Sequence, residues 1–150
     1  LLDLYGGDGN LSVGLTSYFQ NIFCVDIKNQ GISATKLNSM NASYTLIRSS
    51  VEDFLIGRYW LERGIESLGC VIADPPRSGL SKQVLSELIK ISPYKLIIVS
   101  CNPAALARDL KLLLEQYQIE QMHLIDMFPQ TYHIESVVSL TRKSAAPTLK

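Results

Sequence analysis

Strand-like segments alternate with helical patterns along this chain everywhere except at its end, and that exception decides the topology. The strand-like segments are 1–5, 22–26, 44–48, 69–74, 95–100, 121–126 and 134–141. Several, such as CVIAD (70–74) and KLIIVS (95–100), are near-continuous apolar runs, as expected of strands covered on both faces. Strands separated by helices imply parallel crossovers and a doubly wound α/β sheet. The last two segments are joined only by MFPQTYH (127–133), too short for a crossover helix, so they must run antiparallel. The expected fold is a mostly parallel, seven-stranded sheet with an antiparallel last strand.

Helix signals fall between the strands. Asn10 can cap a first helix with Leu11, Leu15, Tyr18 and Phe19 on one face, and residues 30–41 form a second. Ser50 with Asp53 opens a third, and Ser81 a fourth that stops near Pro93. Asn102 caps a fifth, with Pro103 in its first turn. The chain of 150 residues suits one domain, placed at 1–142, with 143–150 as a flexible tail. Its first residues, Leu1 to Tyr5, already read as a buried strand, so we expect a piece of a longer protein.

Charge and cysteines narrow the function. Fourteen basic and fourteen acidic residues leave a formal net charge of zero. A self-sufficient nucleic-acid binder is usually basic, so either the partner is not a nucleic acid or the basic surface lies in segments outside this chain. Cys24, Cys70 and Cys101 lack the spacing of a zinc site or a disulfide framework, and no metal is expected. No apolar run has membrane-spanning length, and the start is not a signal peptide; a reducing cytoplasmic setting follows, with no membrane partner. Cys24 and Cys70 lie in apolar runs and read as buried small hydrophobes. His123 reads as a surface residue, and Arg108–Asp109 as a structural or solvated pair. The stretch 59–66, with the only tryptophan, reads as a segment packing on the sheet.

The chemistry-bearing motifs share one edge. In a parallel sheet, ligands sit beyond the carboxyl ends of the strands. There LDLYGGDGN (2–10) offers a G-x-G turn, and Asp26 after the second strand can accept hydrogen bonds from ribose hydroxyls. Both features suit a dinucleotide and S-adenosylmethionine (SAM) alike, though Asp8 in the turn would repel a pyrophosphate. DPPRSGL (74–80) follows the fourth strand, SCNP (100–103) the fifth, and TYHIES (131–136) opens the reversed last strand. Asp74, Cys101 and Glu135, distant in sequence, thus meet at one rim. Cys101 also precedes a helix N-terminus, where the helix dipole favours an anion. His133 suits a base, an RNA contact or a loop histidine; Arg77 suits a phosphate contact or an ion pair.

The layout resembles the SAM-dependent methyltransferase fold. LDLYGGDGN, DPPRSGL, VSCNPAALARDL and DMFPQTYHIESVVSL are similar to the signature segments of the RNA (uracil-C5-)methyltransferases, over residues 1 to about 142. The resemblance implies a SAM-dependent enzyme making 5-methyluridine in tRNA or ribosomal RNA, and no DNA substrate. It implies that Cys101 is the nucleophile and Glu135 the proton acceptor. It also implies cofactor contacts from Tyr5, Asn10, Asp26 and Asp74, with Ser50 or Glu52 near the adenine. Members usually carry Cys at the position of Gly6 and Glu at that of Asp26. They also carry an upstream glutamine-bearing segment, an RNA-contacting insertion and often an N-terminal β-barrel, none of which lies in these residues. The competing expectations are a non-catalytic SAM-binding module, a methyltransferase for another target, or an NAD-dependent oxidoreductase.

Overall fold

The computed structural model describes residues 1–28, 43–127, 129–131 and 134–143. Seven strands form one sheet: β1 (Leu2–Leu4), β2 (Asn21–Val25), β3 (Ser43–Ile47), β4 (Cys70–Ala73), β5 (Lys95–Ser100), β6 (Tyr117–Ile125) and β7 (Glu135–Arg142). Their order is β3-β2-β1-β4-β5-β7-β6. All pairs through β5 are parallel, while β7 runs antiparallel to both β5 and β6. The short connection before β7 therefore had the expected consequence. Strand order reverses between β1 and β4, so a crevice opens beyond their carboxyl ends.

Three α-helices are formed among the described residues: α1 (Val51–Gly57), α2 (Lys82–Ile91) and α3 (Pro103–Leu113). Each is capped as the sequence predicts. Ser50 accepts from the Asp53 N–H, Ser81 from Val84, and Asn102 from Ala104 and Ala105. Val84, Leu85 and Leu88 of α2 and Leu106, Leu110 and Leu113 of α3 are buried on the larger core. Trp60 joins that core and packs against Phe54, which accounts for the 59–66 stretch. The opposite face of the sheet carries a smaller core of Leu1, Ile22, Cys70 and Ile72, with Leu15 and Phe19 against it. Cys24 and Cys70 are buried, and His123 is exposed on β6.

Two expectations need correction or limits. The helix expected after Asn10 is instead a series of turns with one 3-10 turn at Val13–Leu15, and Asn10 is exposed. Gly9 and Gly14 weaken a helix there. Ser12 turns its hydroxyl onto Asp3 rather than leaving it to solvent. The expected helix 30–41 and the segment 144–150 lie outside the described residues. Lys143, expected in the tail, is tied into the fold: its N–H donates to Gln116 O at 2.9 Å and its ammonium to Leu114 O at 2.7 Å. β6 begins four residues earlier than its apolar pattern suggests, because buried Tyr117 anchors it and donates to Pro93 O at 2.9 Å.

Candidate active site

A cleft of 420 Å³ opens at the strand-order reversal, lined by Tyr5, Asp26, Ser49, Glu52, Asp74, Pro76 and neighbouring residues. The glycine turn adjoins it, through Tyr5 before the glycines and Asp26 bonded to Gly7. Gly7 and Gly9 adopt φ of +52° and +76°, and Tyr5 is also left-handed at +59°. Asp26 clamps this turn: one carboxylate oxygen accepts from Gly7 N–H at 3.1 Å and the other from Lys28 N–H at 2.7 Å. Each oxygen keeps a further lone pair for a ligand hydroxyl. Tyr5, Asp26 and Asp74, all expected to touch a cofactor, line the cleft; Asn10 does not. Ser50 and Glu52 do line it, and Glu52 also accepts from the Ser81 hydroxyl at 2.8 Å.

The sequence reading missed what lies beneath the turn. Asp3, in β1, is fully buried, and one of its carboxylate oxygens has no hydrogen-bond partner. The other accepts from the Ser12 hydroxyl, whose oxygen lies 2.5 Å from the Tyr44 hydroxyl. Since the Ser12 proton goes to the carboxylate, Tyr44 is the donor to Ser12. Burial raises the Asp3 carboxyl above its ordinary value, and the charges of Asp74 and Asp26 raise it further, against hydrogen bonds that lower it. An acid inside the otherwise apolar run LLDL was the available signal. Gly6 sits on the same cluster: a Cβ there would stand 2.6 Å from Cys24 Sγ and 2.8 Å from the Asp3 carboxylate. Cys24 and Asp3 fill the space that any side chain at position 6 would need.

Beside the cleft stands the second half of the site. Ser100 of β5 faces Ser136 of β7 in the antiparallel register. Cys101 directly follows Ser100 and Glu135 directly precedes Ser136, so both stand at this end of the β5–β7 pair. Both are half-buried. The Cys101 turn is held on each side. Ser100 Oγ accepts from Asn102 N–H at 3.2 Å and donates to Asn102 O at 3.2 Å. Asn102 Nδ2 donates to Arg77 O at 2.9 Å, joining the SCNP turn to the DPPR turn. Asp74 closes the group: its carboxyl is raised above the ordinary range by desolvation first and by the Glu135 charge second. Asp74, Cys101 and Glu135 therefore share one rim, as the topology implied. His133 lies outside the described residues.

Arg108 and Asp109 prove structural. Asp109 is buried and accepts from Leu80 N–H at 2.8 Å, while Arg108 donates to it and to the carbonyls of Ser78 and Leu80. This pair fastens the loop after the DPPR turn.

Residues 1–143 match the family model for tRNA (Uracil-5-)-methyltransferase. The chain belongs to that family. An uncharacterized RNA methyltransferase from Clostridium tetani is 34% identical over 148 residues, covering 94% of this chain and 31% of that protein. One from Thermotoga maritima is 36% identical over 143 residues, covering 95% and 32%. Among solved structures, the tRNA (uracil-54, C5)-methyltransferase of Pyrococcus abyssi, in complex with S-adenosyl-L-homocysteine (SAH), superposes with a TM-score of 0.69. It is 29% identical, over 93% of this chain and 33% of that one. The chain thus spans about a third of the length of the curated relatives it matches.

Proposed function

We propose that these residues form the catalytic domain of a SAM-dependent RNA methyltransferase that makes 5-methyluridine. The observation that carries the reading is the Ser100–Ser136 pairing at the carboxyl end of β5, which leaves Cys101, just after β5, and Glu135, at the start of β7, on one sheet edge with Asp74 and the cleft. Family membership and the SAH complex of the P. abyssi protein support SAM as the cofactor. So does the lining, for Asp26, Glu52 and Asp74 would oppose a pyrophosphate and tolerate a cation. Tyr5 and Asp26 would hold the adenosine, with Ser50 and Glu52 beside the base.

Bound SAM supplies an electrophilic methyl group on a sulfonium. The protein must make uracil C5 nucleophilic enough to take it. The Cys101 thiolate adds to C6 of the ring, and the electron pair of the C5–C6 bond moves to C5, which takes the methyl. C5 then carries both methyl and hydrogen. Glu135 removes that proton, the C5–C6 double bond re-forms, and the thiolate leaves C6. Asp74 accepts a hydrogen bond from the imide N–H and orients the ring. RNA is the substrate, with tRNA and ribosomal RNA as the two classes to compare. Segments beyond the residues seen here supply most of its grip, and the cytoplasm is its setting.

The test is transfer of labelled methyl from SAM to uridine-containing tRNA or rRNA by the full-length protein and by its Cys101→Ala variant. Loss of transfer by several orders of magnitude is expected. Retained transfer contradicts the mechanism. Undiminished turnover would favour a nitrogen target, which needs no thiol.

A further inference from the structure

The last rung of the β6–β7 ladder pairs an acid with an aliphatic residue. Glu135 opens β7, and its direct partner across the antiparallel pair is Ile125, which ends β6. Directly opposed residues send their side chains to the same face of the sheet, with Cβ atoms about 5 Å apart. The two therefore stand side by side at the edge that also carries Asp74 and Cys101. Glu135 is half-buried, whereas Ile125 is 42% exposed. Its sequence neighbours Leu124 and Met127 are exposed too, so this end of β6 presents apolar surface to water beside a reactive rim. Clustered exposed apolar side chains of this kind mark surfaces that a ligand covers.

We infer that Ile125 is a positioning residue for proton removal: bound RNA covers it, and it then walls the Glu135 carboxylate off from water on the β6 side without offering it a hydrogen bond. The inference rests on the reading of Glu135 as the base. A carboxylate in water is held by hydrogen bonds that must give way before it takes a proton from carbon. An aliphatic neighbour imposes none. The branched side chain of Ile125 also has few rotamers, so it narrows the space in which the carboxylate can turn. A polar residue at 125 would do the opposite, because an amide there donates to Glu135 and competes with the C5 hydrogen. The step served is the last of the reaction. The C5 proton passes to Glu135, the C–H electron pair re-forms the C5–C6 double bond, and the thiolate leaves C6 with the electron pair of its bond.

Full-length Ile125→Asn and Ile125→Val, assayed with SAM and uridine-containing RNA, test this. Ile125→Asn should lower kcat for methyl transfer about tenfold, a part of what a general base supplies. It should also raise the share of protein trapped as a methylated RNA adduct on Cys101, read by denaturing mass spectrometry. The calorimetric Kd for SAM should stay within about twofold of wild type, and Ile125→Val should restore transfer. General loosening of the rim would slow thiolate addition as well, and the adduct would fall with the rate. Wild-type turnover in Ile125→Asn, or slow transfer without extra adduct, overturns the inference while Glu135 remains the base. Undiminished transfer by Glu135→Gln overturns the two together. If circular dichroism shows Ile125→Asn unfolded, Ile125→Thr decides, since it keeps the branched shape and adds a hydroxyl. It too should accumulate adduct; an adduct share equal to wild type overturns the inference.

Discussion

Gly6 shows how tightly single residues are constrained beneath the cofactor turn. With Cys24 Sγ 2.6 Å and the Asp3 carboxylate 2.8 Å from the position of a Cβ, Gly6→Ala forces buried neighbours apart. We expect a loss of about 1–3 kcal/mol in denaturant unfolding, part of it restored by adding Cys24→Ala. Asp3 makes a second prediction. Its carboxyl is raised above the ordinary value of 3.8, so the folded state binds its proton more tightly than the unfolded state does. Between that ordinary value and the raised one, the unfolded chain ionises more readily. Stability therefore falls as pH rises through this window, and the loss persists above it. Thermal midpoints measured against pH should show this decline, and Asp3→Asn should flatten it. Asp3 was visible in the sequence only as an acid in an apolar run. The sequence does not say that Ser12 and Tyr44 close around it, because that contact crosses three strands.

At the scale of elements, the caps were the most legible features and proved tied to the site. Asn102 closes the first turn of α3 and, through Arg77 O, binds the two motif loops together. Asn102→Ala should cost about 1–2 kcal/mol, seen as a fall of a few degrees in Tm. It should lower methyl transfer more than the stability loss explains, because the Cys101 turn loses its tie. Asp109→Ala leaves the buried Leu80 N–H without an acceptor and frees Arg108 from its partner. The expected cost is about 2–4 kcal/mol, read by the same unfolding assay. The expected first helix failed for a local reason. The apolar spacing of Leu11, Leu15 and Phe19 is real, but two glycines and the pull of Asp3 on Ser12 favour turns. Only Leu15 and Phe19 reach the second core.

For the molecule as a whole, the topology was legible because one short connection admits a single solution. Reversal of β7 follows from MFPQTYH, and the placing of Cys101 and Glu135 at one sheet edge follows from that reversal. The longer start of β6 was hidden by its polar residues, Gln118, Glu120 and Gln121, which an exposed edge strand tolerates. The cleft's acidity was legible, since Asp26 and Asp74 sit in motifs and Glu52 was expected near the adenine, while the burial of Asp3 emerges only on folding. The account turns on a thiol that bonds to the pyrimidine and a carboxylate that lets it go. Removing the base should therefore strand the covalent intermediate. Denaturing mass spectrometry of full-length Glu135→Gln, incubated with SAM and uridine-containing RNA, tests this directly. The predicted result is a protein–RNA adduct on Cys101 carrying the transferred methyl, absent from Cys101→Ala; no adduct, with 5-methyluridine still formed by either variant at the wild-type rate, would contradict it.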